Sequence, residues 1–367
     1  MNVLHVHSGN LYGGVETVLV TLAAARDAAP EMQMSVALSF NGQVGQELRD
    51  FGVDTPLLGE VRLRRPDSVW RARRALSSLL GRRKFDLAVC HQAWPHAVFG
   101  PVVKRAGLPL VTWVHMSQTG HWLERLAWRT QPDCIISNSR FTASTLPATR
   151  ARVETIYPPV GGKRGTAPFS TDYSEKGAVP LFPSRDVVII QVSRMEAWKG
   201  QGVLLEALAL LRERAGWTLW QVGGAQRASE TRYFESLRES AQRLGIADRV
   251  RFLGQRSDVP ALLGSADIFC QPNLAPEPFG ISFIEAMSAG LPVVTSAAGA
   301  ALEIVDASCG VLTPSGDARA LASALDRLIA DSAERKRLGS AGARRATELC
   351  NPEVQTRKFA ALMKELA

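Results

Sequence analysis

Residues Val187–Arg214 read VVIIQVSRMEAWKGQGVLLEALALLRER. Val187–Val192 carries no charge and has the length of one strand, as a strand buried on both faces requires. The polar turn that follows holds Arg194, Glu196 and Lys199, and from Gln201 to Arg214 the leucines recur at helical spacing. Strand, turn and helix in this order recur outward on both sides. Downstream, strand candidates at Leu219–Val222, Val250–Leu253 and Ile268–Gln271 alternate with a helix over Glu230–Leu244. Upstream, Val3–Val6, Met34–Leu38, Leu87–Cys90, Leu110–Val114 and Cys134–Ser137 are strand candidates. A helical run from Gly14 towards Ala29 sets Val15, Val18, Leu19 and Leu22 on one face.

Short apolar strands separated by helices predict parallel sheets covered on both faces, because parallel strands need crossover connections. The alternation breaks in the Gly, Pro and Ser-rich stretch between Pro158 and Ser184. The expected fold class is therefore α/β, with two doubly wound Rossmann-like domains facing a central cleft, where ligands of such sheets bind. The expected boundaries are an N-terminal domain over 1–160, a linker over 161–185, a C-terminal domain over 186–350 and a last helix over 351–367. That helix, Pro352–Leu366, is expected to pack back on the N-terminal domain.

The chain has 367 residues, 46% apolar and 21% charged, which suits two globular domains and excludes disorder throughout. Cys90, Cys134, Cys270, Cys309 and Cys350 are spread along it with no C-x-x-C pair, the pattern of reduced, buried thiols rather than of zinc ligands or disulfides. MNVLHVHSGN has no basic segment before a long apolar run, so a cytoplasmic protein is expected. Formal net charge is +8, of which Glu60–Lys84 alone supplies +7. In this stretch Val69, Ala72, Leu76, Leu79 and Leu80 form a helical stripe, while arginines project elsewhere. Its bland reading is a solvated helix face; its functional reading is an anionic membrane surface, or an acidic lipid-linked acceptor, met through Arg62 to Lys84. Nucleic acid is not expected, because only Trp70 interrupts the cations.

The chemistry concentrates in Pro272–Val294, PNLAPEPFGISFIEAMSAGLPVV. Pro278 and Gly280 keep Glu277 off the helix that follows, whereas Glu285 falls in its second turn. The amides of Gly280, Ile281 and Ser282 then form an anion site at the positive end of a helix. Arg194 and Lys199 stand at the carboxyl end of a strand, one on the strand end and one opening the next helix, where two cations suit a pyrophosphate. Gly13 and Gly14, with Glu16, offer a loop that backbone ligands can approach closely. His5 and His7 alternate along a strand and share a face, but no third metal ligand stands near them in sequence.

These stretches resemble a retaining glycosyltransferase of the GT-B architecture, glycosyltransferase family 4 (glycosyl transferases group 1). The resemblance runs through VSRMEAWKG, WQVGG, RVRFLGQ, SADIFCQPN, EPFGISFIEAMSAGLPVV, GVLTP and ALASALDRLIAD. In the first half it rests on YGGVET, His115 in LVTWVHM, and Ile136–Ser139. It implies transfer of a sugar from a nucleoside diphosphate sugar to a hydroxyl acceptor of a cell-envelope polysaccharide or glycolipid intermediate, with no cofactor.

By the same resemblance Arg194 and Lys199 neutralise the diphosphate, and Gly280 to Ser282, with Phe279 beside them, bind phosphate or sugar. Glu285 binds the ribose, Glu277 the transferred sugar, and Gln255 lies near the base. Gly13 and Gly14 close on the diphosphate. His115 faces the sugar or acceptor, and Asn138 the acceptor. The catalytic set is Glu277, His115, Arg194 and Lys199. The chain has no D-x-D pair, which favours cations and a helix terminus over a metal. Gly299-Ala300 departs from the family's usual double glycine. Rival readings are a nucleotide-sugar epimerase on the same architecture and a non-catalytic nucleotide-sugar or anionic-surface binding protein.

Overall fold

The computed structural model describes residues 1–10, 13–161, 186–225 and 227–367. Nearly all of the expected linker, 162–185, lies outside them. The chain divides into two compact units, Met1–Thr166 with Cys350–Ala367, and Ala167–Leu349.

Unit 1 holds a six-stranded parallel sheet of β1 (Asn2–His7), β2 (Gln33–Leu38), β3 (Leu87–His91), β4 (Leu110–Val114), β5 (Cys134–Ser137) and β6 (Arg152–Thr155), in the order β2-β1-β3-β4-β5-β6. The order of strand addition reverses between the parallel neighbours β1 and β3, the position where doubly wound sheets open a ligand crevice beyond their strand ends. The short β6 has an exposed, charged composition, RVET, and no apolar run marks it in the sequence.

The two faces of this sheet differ in chemistry. Leu4 and Val6 of β1, Ala88 and Cys90 of β3, and Leu110 of β4 pack under helices Pro66–Arg82 and Ala93–Arg105. Period-two alternation sends His5, His91 and Trp113 to the opposite face. There the last helix, Pro352–Leu366, lays Phe359 against His5 and Trp113, with ring centroids 5.5 and 5.2 Å apart. Asn351 caps that helix by accepting from the Val354 amide, and Pro352 opens it. Val160 donates to the Cys350 carbonyl at 3.0 Å where the chain re-enters the unit. Burying side chains such as Phe359 and Met363 contributes about 1.5–3 kcal/mol each.

Unit 2 holds a second parallel sheet of β7 (Val187–Val192), β8 (Trp217–Val222), β9 (Val250–Gly254), β10 (Ile268–Gln271), β11 (Val293–Ser296) and β12 (Gly310–Thr313). Its order, β12-β11-β10-β7-β8-β9, reverses between β7 and β10, so the loops after those two strands meet at the switch point. The core on one face joins Ile189, Leu204, Leu208 and Trp217 to Leu321, Leu325 and Leu328 of helix Ala318–Ala330. No helix among the described residues is long and apolar enough to cross a membrane.

Candidate functional site

In unit 2 the β7 and β10 loops are locked together through backbone. Gly200 sits at φ +76°, and a Cβ there would lie 1.8 Å from the Pro272 carbonyl oxygen. Leu274 N donates to Trp198 O at 2.7 Å beside it. Lys199 thus stands in a short 3-10 turn, Ala197–Lys199, just before helix Gln201–Leu210, rather than as the first residue of that helix. Its carbonyl accepts from the buried Gln191 Nε2 at 2.8 Å, and the Arg194 carbonyl accepts from the buried Gln201 Nε2 at 2.9 Å. Two uncharged amides therefore hold the backbone of both cations.

Three side chains converge on one carboxylate. Glu277 Oε2 accepts from Lys199 Nζ at 2.7 Å, Asn273 Nδ2 at 2.8 Å and Gln271 Nε2 at 3.3 Å. With one oxygen saturated, Oε1 is the edge of Glu277 left for a ligand. Glu277 is fixed by backbone too: Ala300 N donates to its carbonyl at 2.8 Å, and Gly299, at φ +66°, lies where a Cβ would come 2.5 Å from that oxygen. Gly299, the glycine kept from the family text, is thus fitted against Glu277, while the alanine that follows contributes its backbone amide. Arg194 pairs with Glu196 at 2.9 Å and keeps its side chain 40% exposed, so its guanidinium reaches solvent.

Gly280, at φ +97°, caps helix Ile281–Ser288, and the Phe283 ring occupies the space a Cβ would need. In the first turn Phe283 N donates to the Gly280 carbonyl at 2.9 Å, and the amides that precede it lie at the positive helix end beside Glu277. Ser282 Oγ lies 3.4 Å from Gln271 Oε1, Glu285 is half-buried one turn on, and Phe279 is buried. The WQVGG text has a steric reason. A Cβ on Gly223 would meet Ser193 O at 1.8 Å, and one on Gly224 would meet Gln255 Cβ at 2.8 Å. Gln255 itself is exposed after β9. Gln191, Gln201, Gln271 and Asn273 received no role from the sequence, although uncharged polar residues ending apolar strands, as in IFCQPN, were the available signal.

Unit 1 gathers a different set. Glu16, on helix Gly14–Ala24, accepts from Gly13 N at 2.9 Å with one oxygen, and its other oxygen meets His7 Nε2 at 2.6 Å. The Gly13-Gly14 turn is thereby tied to the end of β1. His115 follows β4, with Nε2 3.0 Å from His91 Nδ1. Burial pushes the His115 imidazole down to about 3, so it is neutral near pH 7. Asn138 spends its amide nitrogen on the His115 carbonyl at 2.9 Å, and its buried Oδ1 has no partner among the described residues. Also among the described residues, no three His, Cys, Asp or Glu side chains stand together as a metal site.

The family model described as Glycosyl transferases group 1 matches residues 172–345, and that described as Glycosyltransferase Family 4 matches residues 12–161. A phosphatidyl-myo-inositol mannosyltransferase of Mycobacterium leprae is 38% identical over 181 residues, 48% of this chain and 44% of that protein. The chain thus spans less than half the length of that relative. A GDP-mannose-dependent alpha-(1-6)-phosphatidylinositol monomannoside mannosyltransferase of Mycolicibacterium smegmatis is 30% identical over 73% of each chain. The crystal structure of Anabaena Alr3699/HepE in complex with UDP-glucose aligns with a TM-score of 0.82 at 25% identity, covering 100% of both chains.

Proposed function

The chain belongs to the glycosyltransferases of family 4, group 1, with the two Rossmann-like sheets of the GT-B architecture, and we propose that it moves a sugar from a nucleoside diphosphate sugar to a hydroxyl of a cell-envelope polysaccharide or glycolipid intermediate, with retention and without a metal. The observation that carries this reading is the convergence of Lys199, Asn273 and Gln271 on Glu277 at the mouth of helix Ile281–Ser288. The relatives' names, one with GDP-mannose and phosphatidylinositol and one bound to UDP-glucose, support a nucleotide sugar as donor and a lipid-linked acceptor.

In this reading unit 2 takes the donor. Arg194, Lys199 and the amides of Gly280 to Ser282 meet the diphosphate, whose charge grows as the sugar departs, so these contacts strengthen in the transition state. Glu285 holds the ribose, Gln255 lies by the base and Phe279 backs the anion site. Glu277 Oε1 accepts from sugar hydroxyls. Unit 1 takes the acceptor through His115 and Asn138, with Gly13 and Gly14 at the diphosphate. The departing phosphate oxygen accepts the acceptor's proton on the same face, which keeps the anomeric configuration without a side-chain base. Arg62 to Lys84 supplies an anionic-membrane contact that concentrates a cytoplasmic enzyme near a lipid-linked acceptor.

The test is turnover of UDP-glucose and GDP-mannose with a phosphatidylinositol acceptor, with and without EDTA, and stereochemical analysis of the product. Transfer with retention in EDTA supports the reading. An inverted sugar nucleotide formed without acceptor would replace it with the epimerase, and activity restored only by added divalent metal would overturn the metal-free step.

A further inference from the structure

Three imidazoles in unit 1 form a hydrogen-bonded row that the transfer chemistry does not use as such. His5 Nδ1 lies 2.8 Å from His91 Nε2, and His91 Nδ1 lies 3.0 Å from His115 Nε2. The rings follow one another edge to edge, with centroids 5.2 and 5.3 Å apart and planes inclined by 26° and 19°. His5 and His91 are fully buried, and His115 is 8% exposed. Burial pushes His5 and His115 down to about 3 and His91 well below its ordinary value, so each ring is neutral near pH 7.

A neutral imidazole carries one N–H and one lone pair. Two contacts among three neutral rings must therefore run in one direction, and the proton sits on the same nitrogen type in all three. The buried end fixes the direction. Among the described residues His5 Nε2 is buried without a partner, and Phe359 lies at 34° to the ring plane, too near parallel for an in-plane N–H to point at the aromatic face. Orphaned buried donors are the rarer outcome, so the lone pair belongs there. The other titratable group near the row is His7, edge-on to His91 and engaged by Glu16, whose two oxygens are taken by His7 and the Gly13 amide, while Trp113 lies against His91 and His115 with centroids 5.6 and 5.3 Å away.

We propose that His5 and His91 are positioning residues that hold His115 in the Nδ1–H tautomer, so that His115 meets a sugar or acceptor oxygen as a hydrogen-bond donor. The inference rests on the reading of His115 as a ligand-facing residue of the transferase. Its Nε2 is occupied by His91, which leaves Nδ1 as the only ring nitrogen for a ligand.

Imidazole 15N NMR of the full-length protein labelled at histidine, assigned with single histidine variants, reads the tautomers directly. Expected are N–H signals at Nδ1 and lone-pair signals at Nε2 for His5, His91 and His115 alike. An Nε2–H on His115, or mixed tautomers along the row, would overturn the proposal. Kinetics supply the second arm. His91→Phe removes the donor to His115, and kcat should fall on the order of tenfold to a hundredfold, the range for removing a group that orients a functional histidine, with donor KM little changed. His91→Asn places an amide N–H where Nδ1 stood and should recover most of the loss. Equal losses in the two variants, with both folded, reduce His91 to packing and count against it. Should no sugar transfer occur with any donor, the functional reading fails, while the NMR arm still decides the tautomer row.

Discussion

Lys199 Nζ lies 2.7 Å from Glu277 Oε2 across 78 positions of sequence, and both side chains are largely buried, at 14% and 9% exposure. The pair joins a residue assigned to the diphosphate with one assigned to the sugar, so neither acts alone. Lys199→Ala is expected to lower turnover on the order of a hundredfold or more, because in the proposed reading it removes a charge aimed at the leaving group. Glu277→Gln keeps the shape and removes the charge. In the double variant the losses should fall short of additive, as for residues sharing one contact. Full additivity in kcat/KM would mean that the two side chains serve independent steps.

Gly200 gives a prediction about stability. With a Cβ, its position would place carbon 1.8 Å from the Pro272 carbonyl, and φ +76° disfavours any side chain. Gly200→Ala must separate the two loops that bring Lys199 to Glu277. A loss of more than about 2 kcal/mol is expected, with weakened donor binding. Gly107→Ala, at a similar positive φ in unit 1 but with nothing within 4 Å, isolates the backbone term and should cost less. Equal denaturant midpoints for the two variants would remove the steric argument.

The strands that carry the site were legible because parallel strands buried on both faces read as short, uninterrupted apolar runs; Val187–Val192, Leu110–Val114, Cys134–Ser137 and Ile268–Gln271 match their observed bounds. β6 was not legible, since an exposed edge strand reading RVET carries no such run. The helix after β7 ends at Leu210 rather than Arg214, because periodicity locates a helix better than its last turn. Glu277 and Lys199 stood out as charges beside glycines. Gln191, Gln201 and Asn273 did not, because a buried amide gains meaning only from the carbonyl or carboxylate it meets in space, and that partner is set by tertiary contact.

The buried histidines predict acid lability. His5 and His115 titrate near 3 in the folded protein, His96 near 4 and His91 well below normal, all through burial, against about 6.5 in an unfolded chain. Folded values below unfolded ones mean that the unfolded state binds more protons as pH falls, so the contribution is complete above pH 6.5 and is lost progressively from there towards pH 3. Each such group steepens the loss by about 1.4 kcal/mol per pH unit within that window. Denaturant titrations between pH 7.5 and 4.5 should show stability falling with acid, and His5→Phe should flatten the slope. A slope unchanged in that variant would mean that His5 is protonated in the folded protein.

The last prediction concerns the basic helix Pro66–Arg82, whose cations are not equivalent. Arg73 donates to the carbonyls of Val98 and Ala97, at 2.7 and 3.2 Å, and is structural. Arg71 pairs with Asp67 at 2.8 Å, and Arg83 pairs with Asp54. Arg82 and Lys84 are exposed, and Arg74 lies 5.4 Å from the ring of Trp70, itself 60% exposed, a cation beside an apolar side chain of the kind that enters a membrane interface. Each charge near an anionic surface is worth about 1 kcal/mol, screened within a Debye length. The full-length protein should therefore co-sediment with anionic but not zwitterionic vesicles, and less so as salt rises. Changing Arg74, Arg82 and Lys84 to Glu should abolish this, while binding of the nucleotide-sugar donor stays as it was. Changing Arg73 would confuse the outcome by freeing two carbonyls of the neighbouring helix. Should the unaltered protein ignore anionic vesicles at low salt, the helix is a solvated face and the acceptor reaches the enzyme from solution.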